Sequence, residues 1–302
     1  MDNTRFSNVM LILGNGFDLA YDLKTRYTLF YNSERFQRLV ENNNLCKAIK
    51  LWQETDSWID WSDLECGLYQ YALTLATPEE MNKFENEFVA LREALFDYLK
   101  DVVGQPVDSS KGLIVSQLVD IWNQFNPSII TFNYTTTTLV NLSKNMPTYL
   151  NSAAKGLNDK CIFQHGMIYN LADAKDNTSN DIVLGIDETQ EVDARLSFLK
   201  KSSQKLHCVD DTLEKISQAN TYVVFGCSMG DSDRRYFEMV FNPSFTDKTY
   251  IVYYYDNDDY YKKLNYIEKY VGNFSEFKAK NQFYFLASTD PCCVELTNTI
   301  LQ

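Results

Sequence analysis

In four segments of the sequence, small or polar residues follow directly after a short apolar run. If the run is a buried strand, its end holds the residues that follow in a fixed position. Glycine lets a backbone approach a phosphate closely, whereas asparagine, aspartate and histidine can orient water or carry a proton. Ligands of open α/β sheets bind outside the carboxyl ends of the strands, so such segments can converge on one crevice. The segments are Gly14-Asn15-Gly16-Phe17-Asp18, Thr131-Phe132-Asn133-Tyr134-Thr135, His165-Gly166 and Gly226-Cys227-Ser228-Met229-Gly230-Asp231-Ser232-Asp233.

The apolar runs themselves have the length of buried strands. Several are rich in β-branched or aromatic residues and none alternates over a long span, which favours a mostly parallel α/β sheet covered on both faces. Between the first two runs, apolar residues recur at helical spacing, as at Phe84, Phe88 and Leu91. We therefore predict one α/β domain over residues 1–302, with a helical insertion at about 28–120. The predicted strands are 9–13, 128–132, 161–163, 182–186, 221–225, 249–255 and 282–286.

The charge balance restricts the partners. The chain has 28 Lys and Arg against 41 Asp and Glu, a formal net charge of −13. Nucleic-acid binding depends on clustered cations, and the sequence has no basic run, so we expect no nucleic-acid partner. No stretch has the length of a membrane span, and the apolar run near the N-terminus is too short for a signal-peptide core. We therefore expect no membrane association.

The cysteines give no sign of a disulfide framework or a zinc module. They stand at positions 46, 66, 161, 208, 227, 292 and 293, an odd number without a C-x-x-C pair. We accordingly predict a protein without metal, in a reducing cytoplasm.

Each strand-end segment also has a purely structural interpretation. Leu19 stands where a dinucleotide fingerprint has its third glycine, so the G-x-G of the first segment can be only a tight turn. Asn133 can tie down a loop, and Asp233 can belong to a helix N-cap. His165 can be a satisfied structural group, and His207, in a polar stretch, is interpreted as a surface residue.

Taken together, five stretches resemble the motifs of the bacteriophage abortive-infection AbiH family, which is itself similar to the sirtuin-like superfamily. They read LILGNGFDLAYDLKTRY, NPSIITFNYTTTTL, FQHG, VLGID and VVFGCSMGDSDRRYF. A further stretch, SWIDWSDLECGL from Ser57 to Leu68, matches a motif of the family that contains tryptophan and glutamate. The resemblance extends from Leu11 to about Tyr255, with the motifs in the expected order. The role of Glu65 in this further stretch is left open.

The resemblance implies a Rossmann-like, sirtuin-like fold with an NAD site. In that site Gly14 and Gly16 would lie against the pyrophosphate, so a side chain at Gly16 would block its approach. Asn133 would bind near the nicotinamide ribose and the attacking water, and His165 would act as the base or contact the ribose. The candidate cofactor-binding residues are Gly14, Asn15, Gly16, Thr131, Gly226, Ser228 and Asp231.

Two positions depart from the sirtuin-like pattern. Thr135 stands where the pattern has an aspartate two residues after the asparagine, and Asp18 stands where it has a serine. Protein deacylases of the superfamily also hold a four-cysteine zinc module, which this chain lacks. Deacylation is therefore not expected, whereas cleavage of NAD by water stays open.

Cleavage of the nicotinamide–ribose bond passes through an oxocarbenium-like transition state, which needs a polar field near C1′, an oriented water and a base. We expect Asp18, Asn133 and His165 to supply them. The sequence thus predicts an antiphage abortive-infection effector that binds NAD and hydrolyses it to nicotinamide and ADP-ribose. The phage trigger, and whether the chain forms a homo-oligomer, stay open.

Two other functions also stay open. Thr135 is compatible with a catalytically silent nucleotide-binding or sensor protein. The 20 tyrosines and 19 phenylalanines are compatible with an interaction or scaffold protein, because aromatic residues are enriched at interfaces. A dehydrogenase ranks below hydrolysis, since the acidic residue expected about 20 residues after the G-x-G has no clear strand-end candidate.

Overall fold

The computed structural model describes residues 8–55, 63–103, 125, 127–135, 161–168, 178–204, 209–290 and 292–301. Its strands are β1 (Val9–Leu13), β2 (Ser128–Thr131), β3 (Cys161–Phe163), β4 (Thr221–Phe225), β5 (Thr249–Tyr254) and β6 (Gln282–Ala287). They form one six-stranded sheet in the order β3-β2-β1-β4-β5-β6, and every pairing is parallel. This order is that of doubly wound dinucleotide-binding sheets. The predicted parallel α/β class is confirmed, and the topology is consistent with a Rossmann-like fold.

Helices surround the sheet in two groups. The first group follows β1 and consists of α1 (Asn15–Ala20), α2 (Tyr27–Tyr31), α3 (Glu34–Val40), α4 (Asn44–Thr55), α5 (Asp63–Thr74) and α6 (Pro78–Val103). The second group consists of α7 (Val209–Gln218), α8 (Arg234–Val240), α9 (Asn257–Val271), α10 (Phe274–Lys280) and α11 (Cys293–Leu301). Short 3₁₀ helices occur at Ser179–Asp181, Ala194–Leu199, Lys201–Ser203 and Asp231–Asp233. We call α2 to α6 the helical layer.

The central strand, β1, is buried on both faces. Leu11 packs with Val223 in the core on one face of the sheet, and Ile12 packs with Ile130 in the core on the other. A strand covered on both sides needs an apolar residue at every position, which is why these strands read as continuous apolar runs. Leu13, the last residue of β1, lies between the ends of β2 and β4.

The helical layer has a core of its own. Along α6, the buried residues recur at helical spacing and include Phe84, Phe88, Leu91, Leu95 and Leu99. They pack with α3 and α4 and with the 3₁₀ helix at Ala194–Leu199, and this core also takes in Tyr134. The helical layer therefore closes over the segment that follows β2. The predicted insertion continues to about residue 120, but positions 104–120 lie outside the described residues, as do Trp58, Trp61 and His207.

The predicted strand at 182–186 is wrong. Ile182 and Ile186 each form an isolated bridge, one with Gly166 and the other with Lys200. Between them, the Leu184 backbone is satisfied by the side chain of Gln204, whose Oε1 accepts from the Leu184 N–H at 3.2 Å and whose Nε2 donates to its carbonyl at 2.7 Å. The apolar run shows that the segment is buried. The backbone groups of Leu184 bond to a side-chain amide in place of a neighbouring strand. In the part of the chain that the structure describes, no helix combines the length and apolarity needed to cross a membrane.

Candidate functional site

The loops after β1 and β4 contact each other through their backbones. The Gly14 N–H donates to the Phe225 carbonyl and the Gly16 N–H donates to the Gly226 carbonyl, both at 2.9 Å. A Cβ atom on Gly14 would lie 2.4 Å from the Gly226 carbonyl oxygen, and one on Gly16 would lie 2.5 Å from the Gly226 Cα. Gly226 itself has a φ of +69°. The glycines are therefore required by the contact between the two loops, whatever ligand lies beyond them.

This contact and the turn after β1 occupy N–H groups that a pyrophosphate at the start of the following helix would otherwise bind. The Gly16 N–H is taken by Gly226, and the Phe17 N–H donates to the Gly14 carbonyl at 2.9 Å. The side chain of Asn15 accepts a hydrogen bond from the Thr25 hydroxyl at 2.6 Å. A side chain at Gly16 would meet Gly226 before it could meet a ligand, so a substitution there tests the loop contact first.

The two residues that depart from the sirtuin-like pattern are in contact with each other. The Thr135 hydroxyl lies 2.9 Å from Oδ1 and 2.8 Å from Oδ2 of Asp18. Both residues are buried. A hydroxyl has one proton, so it donates to this carboxylate in a bifurcated or alternating manner. The pair joins the helix after β1 to the segment after β2.

Asn133 holds a buried side-chain amide with no bond to the described protein. The residue is 2% exposed, and neither its Oδ1 nor its Nδ2 has a hydrogen-bond partner within the described ranges. Its backbone N–H donates to Thr131 Oγ1 at 3.1 Å. A buried polar group left unpaired costs about 1–3 kcal/mol, so native proteins pair nearly all of them with protein, water or ligand. This amide is therefore a position at which a ligand or a water molecule is expected.

His165 lies beside Asn133 on the neighbouring segment. The segments after β2 and β3 continue side by side, because the Gln164 N–H donates to the Thr131 carbonyl and the Ile168 N–H donates to the Tyr134 carbonyl. The His165 ring packs against the rings of Phe132 and Tyr134, with centroid distances of 5.5 and 5.6 Å. The described contacts do not join the His165 ring to the Asn133 amide.

The two ring nitrogens of His165 have different surroundings. Nε2 lies 3.0 Å from Asp233 Oδ1, whereas Nδ1 is buried and has no partner in the described parts of the chain. A carboxylate on one nitrogen orients the ring and selects which nitrogen carries the proton. His165 and Asp233 thus form an oriented pair in which Nδ1 of the imidazole is available to a ligand.

Asp233 belongs to a buried charged cluster with Lys201 and Glu65. Lys201 Nζ lies 3.0 Å from Glu65 Oε1 and 3.2 Å from Asp233 Oδ1. Burial by itself would lower the pKa of Lys201, but the two carboxylates outweigh burial and raise that pKa above its ordinary value. Burial would likewise raise the pKa of Asp233, but Lys201 and His165 outweigh it and hold that pKa well below its usual range. Lys201 and Asp233 are therefore both charged at neutral pH.

Comparison with protein families identifies the chain. The family profile described as "Bacteriophage abortive infection AbiH" matches residues 10–255, which include every segment of the site. The protein belongs to the AbiH family. Membership implies a part in defence against bacteriophages by abortive infection. A comparison with proteins of curated function found no match.

The sequence interpretation missed most of the charged cluster of this AbiH protein. Asp233 was interpreted as part of a helix cap, and it does occupy the N-cap position of α8, but its side chain makes no capping hydrogen bond. Instead the carboxylate faces His165 and Lys201. Glu65 lies in a stretch that matches a family motif, but the sequence assigned it no role. For Asp233, the one local sign was that a polar residue suited to a helix cap follows a glycine-containing turn. Lys201 belongs to no motif and had no local sign.

The other candidate residues differ in their burial and in their contacts. Thr131 is buried and accepts from the Asn133 backbone. Ser228 is half-buried in the loop after β4. Asp231 is exposed and forms an ion pair with Lys269 of α9 at 2.7 Å. Of these three, Thr131 is the one that a described contact connects to Asn133.

Proposed function

We propose that this AbiH protein binds NAD at the carboxyl ends of its central strands and hydrolyses the nicotinamide–ribose bond during abortive infection in the cytoplasm. The observation that carries the proposal is the pair of unpartnered buried groups, the Asn133 amide and His165 Nδ1, on adjacent segments after β2 and β3. Both groups follow the carboxyl ends of parallel strands, and ligands of open α/β sheets bind at this edge of the sheet. The choice of NAD rests on the motif resemblance to sirtuin-like proteins.

In this proposal each group has a defined task. Water attacks C1′ of the nicotinamide ribose, the C–N bond breaks, and its electron pair leaves with nicotinamide. Asn133 orients the water or a ribose hydroxyl with its amide. His165 Nδ1 accepts the proton that the attacking oxygen gives up, and Asp233 balances the positive charge that the ring then carries. Asp18 would contribute its negative charge through the buried pair with Thr135.

The proposed cofactor contacts lie on the loops around this position. Gly14, Asn15, Gly16, Gly226 and Ser228 would lie nearest the pyrophosphate. The N–H groups of Gly16 and Phe17 are already bonded within the protein, so a pyrophosphate would depend on other donors of these loops.

The proposal is tested by replacing the two unpartnered groups in a preparation that releases nicotinamide from NAD. Asn133→Ala and His165→Ala should each lower turnover by at least about a hundredfold, because positioning and proton transfer are typically worth about 10²–10⁴ in rate. NAD affinity should change far less, since both groups act mainly in the transition state. Chromatographic measurement of nicotinamide and calorimetric titration with NAD separate the two effects.

His207→Ala is the matched control, because His165 and His207 are the chain's two histidines. It should keep the turnover of the parent. If both site variants release nicotinamide at the parent rate, or if cells that express the parent keep their NAD level under phage challenge, hydrolysis by these residues is excluded.

A catalytically silent NAD-binding protein is the second candidate, and one observation favours it. Thr135 replaces the aspartate of the sirtuin-like pattern, and the structure pairs it with Asp18. The aspartate of the pattern is therefore absent at that position. Binding of NAD by the parent without release of nicotinamide, in extracts of phage-challenged cells as well as in isolation, would favour this second function.

A further inference from the structure

We propose that Lys201, held by Glu65 of the helical layer, is a positioning residue that keeps Asp233 directed at His165 and so leaves Nδ1 of the ring free to accept a proton. This inference rests on the proposed role of His165 as a base. It assigns a task to Lys201, which lies in no motif, and to Glu65, whose task the sequence left open.

The Lys201 ammonium has three acceptors close to it besides the His165 ring. The ammonium has three N–H donors. The acceptors nearest to them are Glu65, the Ser232 carbonyl at 3.0 Å and Asp233 Oδ1 at 3.2 Å. His165 Nε2 is farther away, at 3.3 Å. The three protons are therefore used by the two carboxylates and the carbonyl, and none is needed by the imidazole.

The contact with Asp233 determines which nitrogen of the His165 ring carries the proton. Nε2 lies 3.0 Å from Asp233 Oδ1, and an unprotonated nitrogen at that distance would set its lone pair against a carboxylate oxygen. Nε2 therefore carries a proton and donates it to Asp233. Lys201 Nζ also donates to Asp233 Oδ1, and this shared acceptor explains why Lys201 Nζ and His165 Nε2 lie close together. In the neutral ring, Nδ1 then has a lone pair and no proton.

Burial makes the charge of Asp233 depend on Lys201. Lys201 is 3% exposed, and the Asp233 carboxylate is largely covered as well. A buried carboxylate without a counter-charge tends to take up a proton. Without Lys201, an additional proton would bind in one of two places. If it bound to Asp233, that carboxyl would donate to Nε2 and the ring proton would move to Nδ1. If it bound to the ring, both ring nitrogens would be protonated. Both outcomes remove the lone pair of Nδ1.

The cluster also connects distant parts of the chain. Glu65 lies on α5, Lys201 begins a short 3₁₀ helix, Asp233 precedes α8, and His165 follows β3. The Lys201 backbone is itself held, because its N–H donates to the Ile186 carbonyl at 3.1 Å. The helical layer therefore contributes directly to the orientation of His165. In this arrangement α5 is part of the site, although none of its residues needs to touch a ligand.

The test observes the protons on the ring nitrogens directly. The protein is labelled with ¹⁵N-histidine, and a long-range ¹H–¹⁵N spectrum is recorded at pH 8, above the ordinary titration range of imidazole. Two histidines give two ring systems, and His207→Gln assigns them. In the parent, His165 should show a protonated Nε2 and an unprotonated Nδ1. In Lys201→Met, the signal of the unprotonated Nδ1 should disappear.

A second variant and a matched control accompany Lys201→Met. The double variant Glu65→Gln, Lys201→Met keeps the net charge of the cluster, so it should fold more readily, and it should also lose the unprotonated Nδ1. Lys263→Met is the control, because Lys263 is equally buried, 3% exposed, and paired with Asp259. This control should leave the His165 signals as in the parent.

The outcomes separate the two proposals. A parent spectrum with a proton on Nδ1, or an unprotonated Nδ1 that persists in both Lys201 variants, overturns the positioning role. If the spectra behave as expected but no preparation releases nicotinamide, the positioning role stands and hydrolysis of NAD fails. If the parent is active, the double variant should lower turnover about a hundredfold, as misorientation of a reacting group does, with little change in NAD affinity.

Discussion

Two regions at the same edge of the sheet use their polar groups in opposite ways. In the loops after β1 and β4, the N–H groups of Gly14 and Gly16 are satisfied by the facing loop, and the glycines are explained by close backbone contact. In the segments after β2 and β3, Asn133 and His165 hold buried atoms that the described protein leaves unpaired. The loops after β1 and β4 contain the more conspicuous sequence motif, whereas the segments after β2 and β3 contain the polar atoms that a ligand could bind.

The difference shows what a glycine motif indicates. A G-x-G after a strand establishes that the backbone must pass close to something, and here that partner is the loop of Gly226. An unpaired buried amide or imidazole nitrogen is a more direct sign of a ligand, because the protein gains nothing by burying it otherwise. Three measurements of stability, each with a matched control, test this difference between the two regions.

The largest effect on stability is expected at Gly16. In Gly16→Ala the new Cβ would lie 2.5 Å from the Gly226 Cα, a clash with backbone that cannot be relieved by a rotamer change. We expect a loss of about 3 kcal/mol or more in the free energy of unfolding, measured by urea denaturation. Gly272→Ala is the control, since its φ of +73° is strained but its Cβ position is open. Its ψ of −45° places it outside the left-handed α region, so alanine there should cost about 1–3 kcal/mol. Equal losses in the two variants would show that the loop contact is not tight.

An intermediate effect is expected at Thr135. Thr135→Val removes the hydroxyl that donates to the buried Asp18 carboxylate, and hydrogen bonds to charged groups contribute about 1.5–3 kcal/mol. The control is Thr25→Val, which removes a hydroxyl that donates to the neutral side chain of Asn15. That loss should be about 1 kcal/mol. A Thr135→Val protein as stable as the parent in urea would mean that Asp18 does not depend on this hydroxyl.

The smallest effect is expected at Asn133. Because its amide has no partner in the described protein, Asn133→Ala removes no hydrogen bond and relieves the cost of about 1–3 kcal/mol that an unpaired buried group carries, so it should not lower the free energy of unfolding in the absence of nucleotide. Asn43→Ala is the control, since the Asn43 side chain is also buried but bonds to the Glu87 carbonyl and the Cys46 N–H, both at 2.9 Å. It should lose about 1–2 kcal/mol. A loss at Asn133 as large as at Asn43 would reveal a structural partner and weaken the ligand interpretation.

Much of the fold was predictable because burial on both faces leaves a direct mark on the sequence. The runs at 9–13, 161–163 and 221–225 coincide with β1, β3 and β4, and the helical spacing of Phe84 and Phe88 coincides with α6. The same signal failed at 182–186, because an apolar run records that a segment is covered and not what its backbone bonds to. There the partners are isolated bridges and the amide of Gln204.

By itself, the sequence determined the parallel α/β class, the family, and the strand-end positions of Asn133 and His165, because these depend on neighbours a few residues apart. The tertiary structure alone decided which groups meet. In the fold, the Asp233 side chain contacts His165 and makes no capping hydrogen bond. Lys201 lies between two carboxylates, and Asp18 pairs with Thr135. Charges and hydrogen bonds act over a few ångströms in space, and the residues that make these contacts are separated by up to 136 positions along the chain. No local pattern can record such contacts, so Lys201 became visible only when the chain was folded.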